Sequence, residues 1–135
     1  ADAQALYTFE GGGLGKVAGM KTQPRWDQAI IDDSKLSGYC LNMEHPEGRH
    51  KARVFQAVLN IGCQDAPILR EELRCATVKD SPRLTQSTPY GDLYVLDFSL
   101  EHKGKVATVR SAWMVDHGQN VPRLVSCYVL KSGLS

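Results

Sequence analysis

The feature that most constrains this chain is a change of period. Between residues 49 and 76 the apolar side chains recur every three to four positions; after residue 91 they recur every second one. The first pattern suits helices with one buried stripe, the second strands with one buried face. Helices followed by period-two strands joined by short connections imply an α+β domain, with N-terminal helices packed on one face of a C-terminal antiparallel meander of three to four strands.

Three helices are expected. Asp32, Asp33 and Ser34 offer N-caps for a short one carrying Leu36, Tyr39 and Cys40 and ending near Asn42. His45-Pro46-Glu47-Gly48 then reads as a turn. From Arg49 to about Ile61, Ala52, Phe55, Val58 and Leu59 form one stripe, with Arg53, Gln56 and Asn60 opposite and Gly62 as the stop. From Ala66 to Ala76, Ile68, Leu69 and Leu73 face inward, and Pro67 sits in the first turn where its missing N–H does no harm. Residues 77–91 read as loop. Strands follow over 93–100, 106–115 and 124–130, joined at His102-Lys103-Gly104 and His117-Gly118-Gln119, so that His102 and His117 fall in hairpin turns. On the last strand Val125, Cys127 and Val129 read as core.

Residues 1–28 read as a linker or N-terminal arm, because Gly11, Gly12, Gly13 and Gly15 cluster there. Residues 29–135 read as one domain, which suits a chain of 135 residues. No apolar run is long enough to span a bilayer, and the N-terminus lacks the layout of a secretory signal. The formal net charge is +1, but unevenly placed: residues 1–100 hold 11 Lys/Arg against 13 Asp/Glu (−2), and residues 101–135 hold 5 against 2 (+3). A modestly basic C-terminal sheet is compatible with a phosphate backbone and equally with a solvated surface. The four cysteines show no C-x-x-C pairing, which argues against a zinc site, and their apolar settings suggest free, buried thiols.

Two groups of residues offer chemistry. If Val109, Trp113 and Val115 face the helices, Thr108 and Arg110 face the other side of the sheet, with Ser126 and Tyr128 beside them: one cation able to grip phosphate with two prongs, plus several hydroxyls. An ordinary polar outer face would look the same. Around the turn and the helix start lie His45, Arg49, His50, Lys51 and Arg53, where cations are unfavourable for the helix alone and suggest an anionic partner. Histidine is also the side chain best suited to proton transfer near neutral pH. A G-x-S-x-G elbow, a dinucleotide fingerprint and grouped metal ligands are absent from the sequence, and no cofactor or metal is expected.

Three spaced motifs resemble an uncharacterised bacterial C-terminal domain family found in polymorphic toxins and phage-associated proteins. They are Lys35-Leu36-x-x-Tyr39-x-Leu41-Asn42 with His45-Pro46-x-Gly48-Arg49-x-Lys51-Ala52-x-x-Phe55, then Tyr90-Gly91-x-x-Tyr94, then Val109-x-x-x-Trp113 with Pro122-Arg123-Leu124-Val125-x-x-Tyr128. Cys40 stands where that pattern has Leu, and Ser126 where it has Thr. The order of elements is also similar to the barnase, EndoU, colicin and RelE group of ribonucleases. The resemblance implies the toxin module of a larger delivered protein, acting without metal on tRNA or other cytoplasmic RNA in a target cell, with an immunity protein as partner. It implies His45, Lys51, Tyr128 and Ser126 as catalytic residues and Arg123 as a substrate-binding one; Thr108 and Arg110 join the catalytic set from the reading of the sheet face alone, and Arg49 and Arg53 join the substrate-binding set from their place at the helix start. A non-catalytic adaptor in a phage head or secretion assembly is the rival expectation.

Overall fold

The computed structural model describes residues 24–130. The glycine cluster of the expected arm lies outside the described residues. Helix α1 is Asp33–Lys35, running directly into a wider π-wound segment, Leu36–Cys40. Helix α2 is Gly48–Val54, continued in the same wide winding by Phe55–Leu59. A single 3₁₀ turn, Cys63–Asp65, leads into α3, Ala66–Lys79. The strands are β1 (Arg83–Ser87), β2 (Gly91–His102), β3 (Lys105–Asp116) and β4 (Arg123–Val129), in one antiparallel sheet of order β1-β2-β3-β4. Among the described residues no helix is long and apolar enough to cross a membrane.

The period change becomes architecture because each element has one face to bury. Leu36 and Cys40 from α1, Ala52, Phe55 and Leu59 from α2, and Leu69 and Leu73 from α3 are buried; Leu96, Phe98, Leu100, Val109, Trp113 and Cys127 come down from the sheet. Two polar groups inside this core are fully provided for. Ser111 donates to the Leu96 carbonyl at 2.8 Å, and the Trp113 indole N–H donates to Ser111 Oγ at 2.9 Å. That satisfies an amide-like donor that would otherwise be buried without an acceptor.

Several local expectations are corrected. α2 ends at Leu59, and its stop is Asn60, held left-handed at φ 56°, two residues before Gly62; asparagine tolerates that region better than most residues. α3 runs three residues past Ala76. Ile68 is 41% exposed, because Leu69 and Leu73 already fill the stripe facing the sheet. The expected loop over 77–91 contains β1, whose five residues are all exposed. An edge strand with no buried face carries no alternation to read.

On β4 the pairing slips: Ala112 faces Ser126 while its neighbour Trp113 faces Leu124, leaving Val125 as the extra residue of a bulge. Leu124 is therefore buried and Val125 only half so. His102 is the last residue of β2 rather than a turn residue, buried with its Nδ1 2.8 Å from the Leu59 carbonyl at the end of α2. Its turn is the pair Lys103-Gly104, both at positive φ, as a two-residue hairpin requires. Cys40 and Cys127 are buried but Cys63 and Cys75 are exposed, and all four are free. Packing also begins ahead of Ala29: the Trp26 ring stands edge-on against Tyr94 (5.4 Å) and Trp113 (5.7 Å).

Candidate functional site

The rim where α1 and α2 meet strand β4 gathers most of the chemistry. Its foundation is a close approach of two backbones. A Cβ on Gly48 would lie 2.1 Å from the Tyr39 carbonyl oxygen, so only glycine lets the start of α2 sit against the end of α1. His45 organises that start. Its carbonyl accepts the Arg49 N–H at 3.0 Å, and its Nδ1 accepts the N–H groups of Glu47 at 3.0 Å and Gly48 at 2.9 Å. A ring nitrogen that accepts carries no proton, so the imidazole hydrogen sits on Nε2.

From His45 a continuous chain of contacts crosses the rim. The His45 ring packs edge-on to Tyr39, centroids 4.8 Å apart. The Lys51 ammonium donates to the Tyr39 hydroxyl at 2.7 Å and lies 5.7 Å from the centre of the Tyr128 ring. Tyr128 faces Arg110 across β3–β4, and Arg110 faces Asp97 across β2–β3. Arg110 grips Asp97 with two parallel bonds, Nε to Oδ1 at 2.8 Å and Nη2 to Oδ2 at 2.9 Å. The Asp97 carboxyl is held below its ordinary range, chiefly by its hydrogen bonds from Arg110. Arg110 is driven further towards its charged form, first by Asp97 and then by Tyr128. A shallow cleft of about 240 Å³ opens beside this chain, lined by His50, Lys51, Val54, Tyr128 and Val129.

Of the nine residues expected at a site, this rim brings together His45, Lys51, Arg110 and Tyr128. Arg110 is half of an ion pair rather than an unengaged cation. Ser126 lies on β4 two residues from Tyr128, but its Oγ lies 3.9 Å from the buried Cys40 sulfur. Thr108 is exposed on β3 two residues from Arg110. Arg49 and Arg53 stand on the exposed side of α2, each about 200° around the helix from Lys51. Arg123 pairs with Asp116 at 3.0 Å and sits five residues before Tyr128, about 16 Å along an extended strand. These three arginines do not join the cluster.

Sequence reasoning missed Tyr39, Asp97 and the cleft position of His50. A signal for Asp97 existed, since a two-residue turn at Lys103-Gly104 fixes a register that sets Asp97 opposite Arg110. Tyr39 falls inside a quoted motif but reads there as an apolar helix position. Among the described residues no three His, Cys, Asp or Glu side chains gather as a metal would need.

Comparison with known proteins bears on the chain in two ways. The profile of a family described as Domain of unknown function (DUF6883) matches residues 22–131. A solved chain from a contact-dependent growth inhibition toxin–immunity protein complex of Klebsiella pneumoniae 342 shares the fold, with TM-score 0.59 and 15% identity, over 76% of this chain and 100% of that one. Curated protein sequences return no match.

Proposed function

The chain belongs to the DUF6883 family, and from the rim between its helices and β4 we propose that it is the toxin module of a bacterial contact-dependent or polymorphic toxin, cleaving tRNA or other cytoplasmic RNA without a metal. One observation carries the reading: Lys51 is held at an open cleft by Tyr39, with Tyr128 and Arg110 next along and His45 behind. Cleaving RNA through its own 2′-hydroxyl needs groups that move protons and cations that stabilise charge building on phosphate. Lys51 spends one donor on Tyr39 and keeps the others for a phosphate oxygen. Arg110 brings its charge to the same oxygens beside Tyr128 while Asp97 fixes its orientation. Tyr128 and the Nε2–H of His45 are donors for the substrate, with Thr108 and Ser126 as flanking hydroxyls and Arg49, Arg53 and Arg123 as outlying contacts to the RNA backbone. The fold shared with a chain of a toxin–immunity complex supports the toxin setting. In that setting the module travels as part of a larger secreted protein, acts in the target-cell cytoplasm and is neutralised by an immunity protein.

The test is a gel of total bacterial RNA incubated with the purified protein, with and without EDTA, beside Lys51→Gln and His45→Asn. Discrete fragments that persist in EDTA and weaken at least tenfold in both variants are expected. Intact RNA from folded protein would sink the nuclease reading and favour a non-catalytic binding module.

A further inference from the structure

Behind the rim, two thiols meet out of reach of bulk solvent. Cys40 closes the wide-wound end of α1 and Cys127 lies in β4; both are fully buried. The Cys127 backbone N–H, on the outer edge of the strand, donates to Cys40 Sγ at 3.2 Å, and the Cys127 side chain is the largest influence on the Cys40 thiol. Ser126 Oγ approaches that sulfur at 3.9 Å. Such a setting divides the pair. Cys40 is lowered to about 7, by the Cys127 thiol first, then the Cys127 N–H, Ser126 and the charge of Lys51, against the opposing effect of burial. Cys127 is pushed the other way by Cys40 and by burial. One sulfur is disposed to be thiolate and attack; its neighbour stays a thiol ready to resolve. Cys63 and Cys75, being exposed, have no comparable surroundings.

We propose that Cys40 and Cys127 form an oxidisable dithiol that closes to a disulfide tying α1 to β4 when the protein meets a peroxide. The Cys40 thiolate attacks one oxygen of hydrogen peroxide, the O–O bond breaks, hydroxide leaves, and Cys40 becomes the sulfenic acid. The Cys127 sulfur then attacks Cys40 Sγ, the S–O bond breaks, and the oxygen departs as water with the Cys127 proton. The two thiols lose two electrons and two hydrogens in all, and the peroxide is reduced. Peroxide is little larger than water and reaches the pair through local opening of the rim. Closure links positions 87 residues apart and takes away a thiol able to ionise within the electrostatic reach of Lys51, so it acts on stability and on the charge of the rim together. The inference does not depend on the nuclease reading.

The experiment uses the full chain with Cys63→Ser and Cys75→Ser, treated with hydrogen peroxide and digested without reductant. The expected result is loss of two hydrogens, a linked Cys40–Cys127 peptide, and a higher Tm that dithiothreitol reverses. In Cys127→Ala the sulfenic acid should persist on Cys40 and be trapped by dimedone. Two thiols left intact at a peroxide dose that oxidises Cys63 in the unsubstituted chain, or sulfinic acid on Cys40 with no linked peptide, would overturn the proposal. If Cys127→Ala does not fold, the linked-peptide map decides alone.

Discussion

At the scale of single residues, His45 holds a helix start and faces the rim with the same ring, so removing it confounds two effects. His45→Ala takes the acceptor from the Glu47 and Gly48 N–H groups and should cost about 1–2 kcal/mol in urea unfolding. His45→Asn restores an acceptor and should recover most of that stability without recovering an imidazole's chemistry. Equal loss of stability in the two variants would count against the capping role. The Asp97–Arg110 pair makes a second prediction, through pH. Because the Asp97 carboxyl is depressed when folded, its contribution is present above the ordinary carboxylate range and lost as pH falls through the folded value. Both side chains are about one-third exposed, which limits the effect to about 1 kcal/mol. Thermal unfolding at pH 7 and pH 3 should show a smaller acid-induced drop for Asp97→Asn than for the parent; an unchanged drop would refute the assignment.

At the scale of elements, the helices are positioned by how they end. Asn60 stops α2 in the left-handed region, and Gly48 lets α2 begin against Tyr39. Asn60→Gly should be neutral within about 0.5 kcal/mol, whereas Asn60→Val should cost at least about 1 kcal/mol, since a branched side chain resists positive φ. Gly48→Ala should be worse than either, because its Cβ meets backbone rather than a flexible side chain; chemical denaturation of the three variants ranks them. Gly91 shows the same logic in the sheet, where a Cβ would fall 2.4 Å from the Val115 carbonyl oxygen. Several residues of the quoted motifs, including Gly48, Phe55, Gly91, Tyr94 and Trp113, therefore have packing reasons to be what they are.

At the scale of the whole molecule, the edges of the sheet are treated unequally. β1 leaves one side exposed, while β4 is closed by α1, by the Cys40 sulfur and by a parallel bridge from Ile30 to Arg123. That closure turns an edge strand into one wall of a rim, with Tyr128 facing Lys51 across it. It also draws residues 25–28 into the fold, through Trp26 on Tyr94 and Trp113 and the Arg25 N–H on the Asn120 carbonyl at 2.7 Å. A chain beginning at Ala29 should therefore melt well below one beginning at Pro24, by several degrees, since a packed tryptophan contributes a large apolar area. Equal melting temperatures would show that residues 24–28 add nothing to the stability of the fold.

By itself the sequence determined the α+β order, because apolar period is a local property that each helix and long strand carries alone. The sequence also held a signal for the β2–β3 register, but with His102 read as a turn residue the two-residue turn and the Asp97–Arg110 pairing came only from the structure. It did not disclose β1, which buries nothing, or the bulge at Val125, which exists only where β4 meets β3. The candidate site lies further still from local pattern. His45, Tyr39 and Lys51 belong to two helices and a turn, Arg110 and Tyr128 to two strands, and only the packing of α1 and α2 over the edge of β4 makes them neighbours. The same packing sets Cys40 against Cys127, 87 residues apart, and leaves Arg49, Arg53 and Arg123 outside. Charge in a sequence has no direction; the tertiary structure decided which cations face the rim.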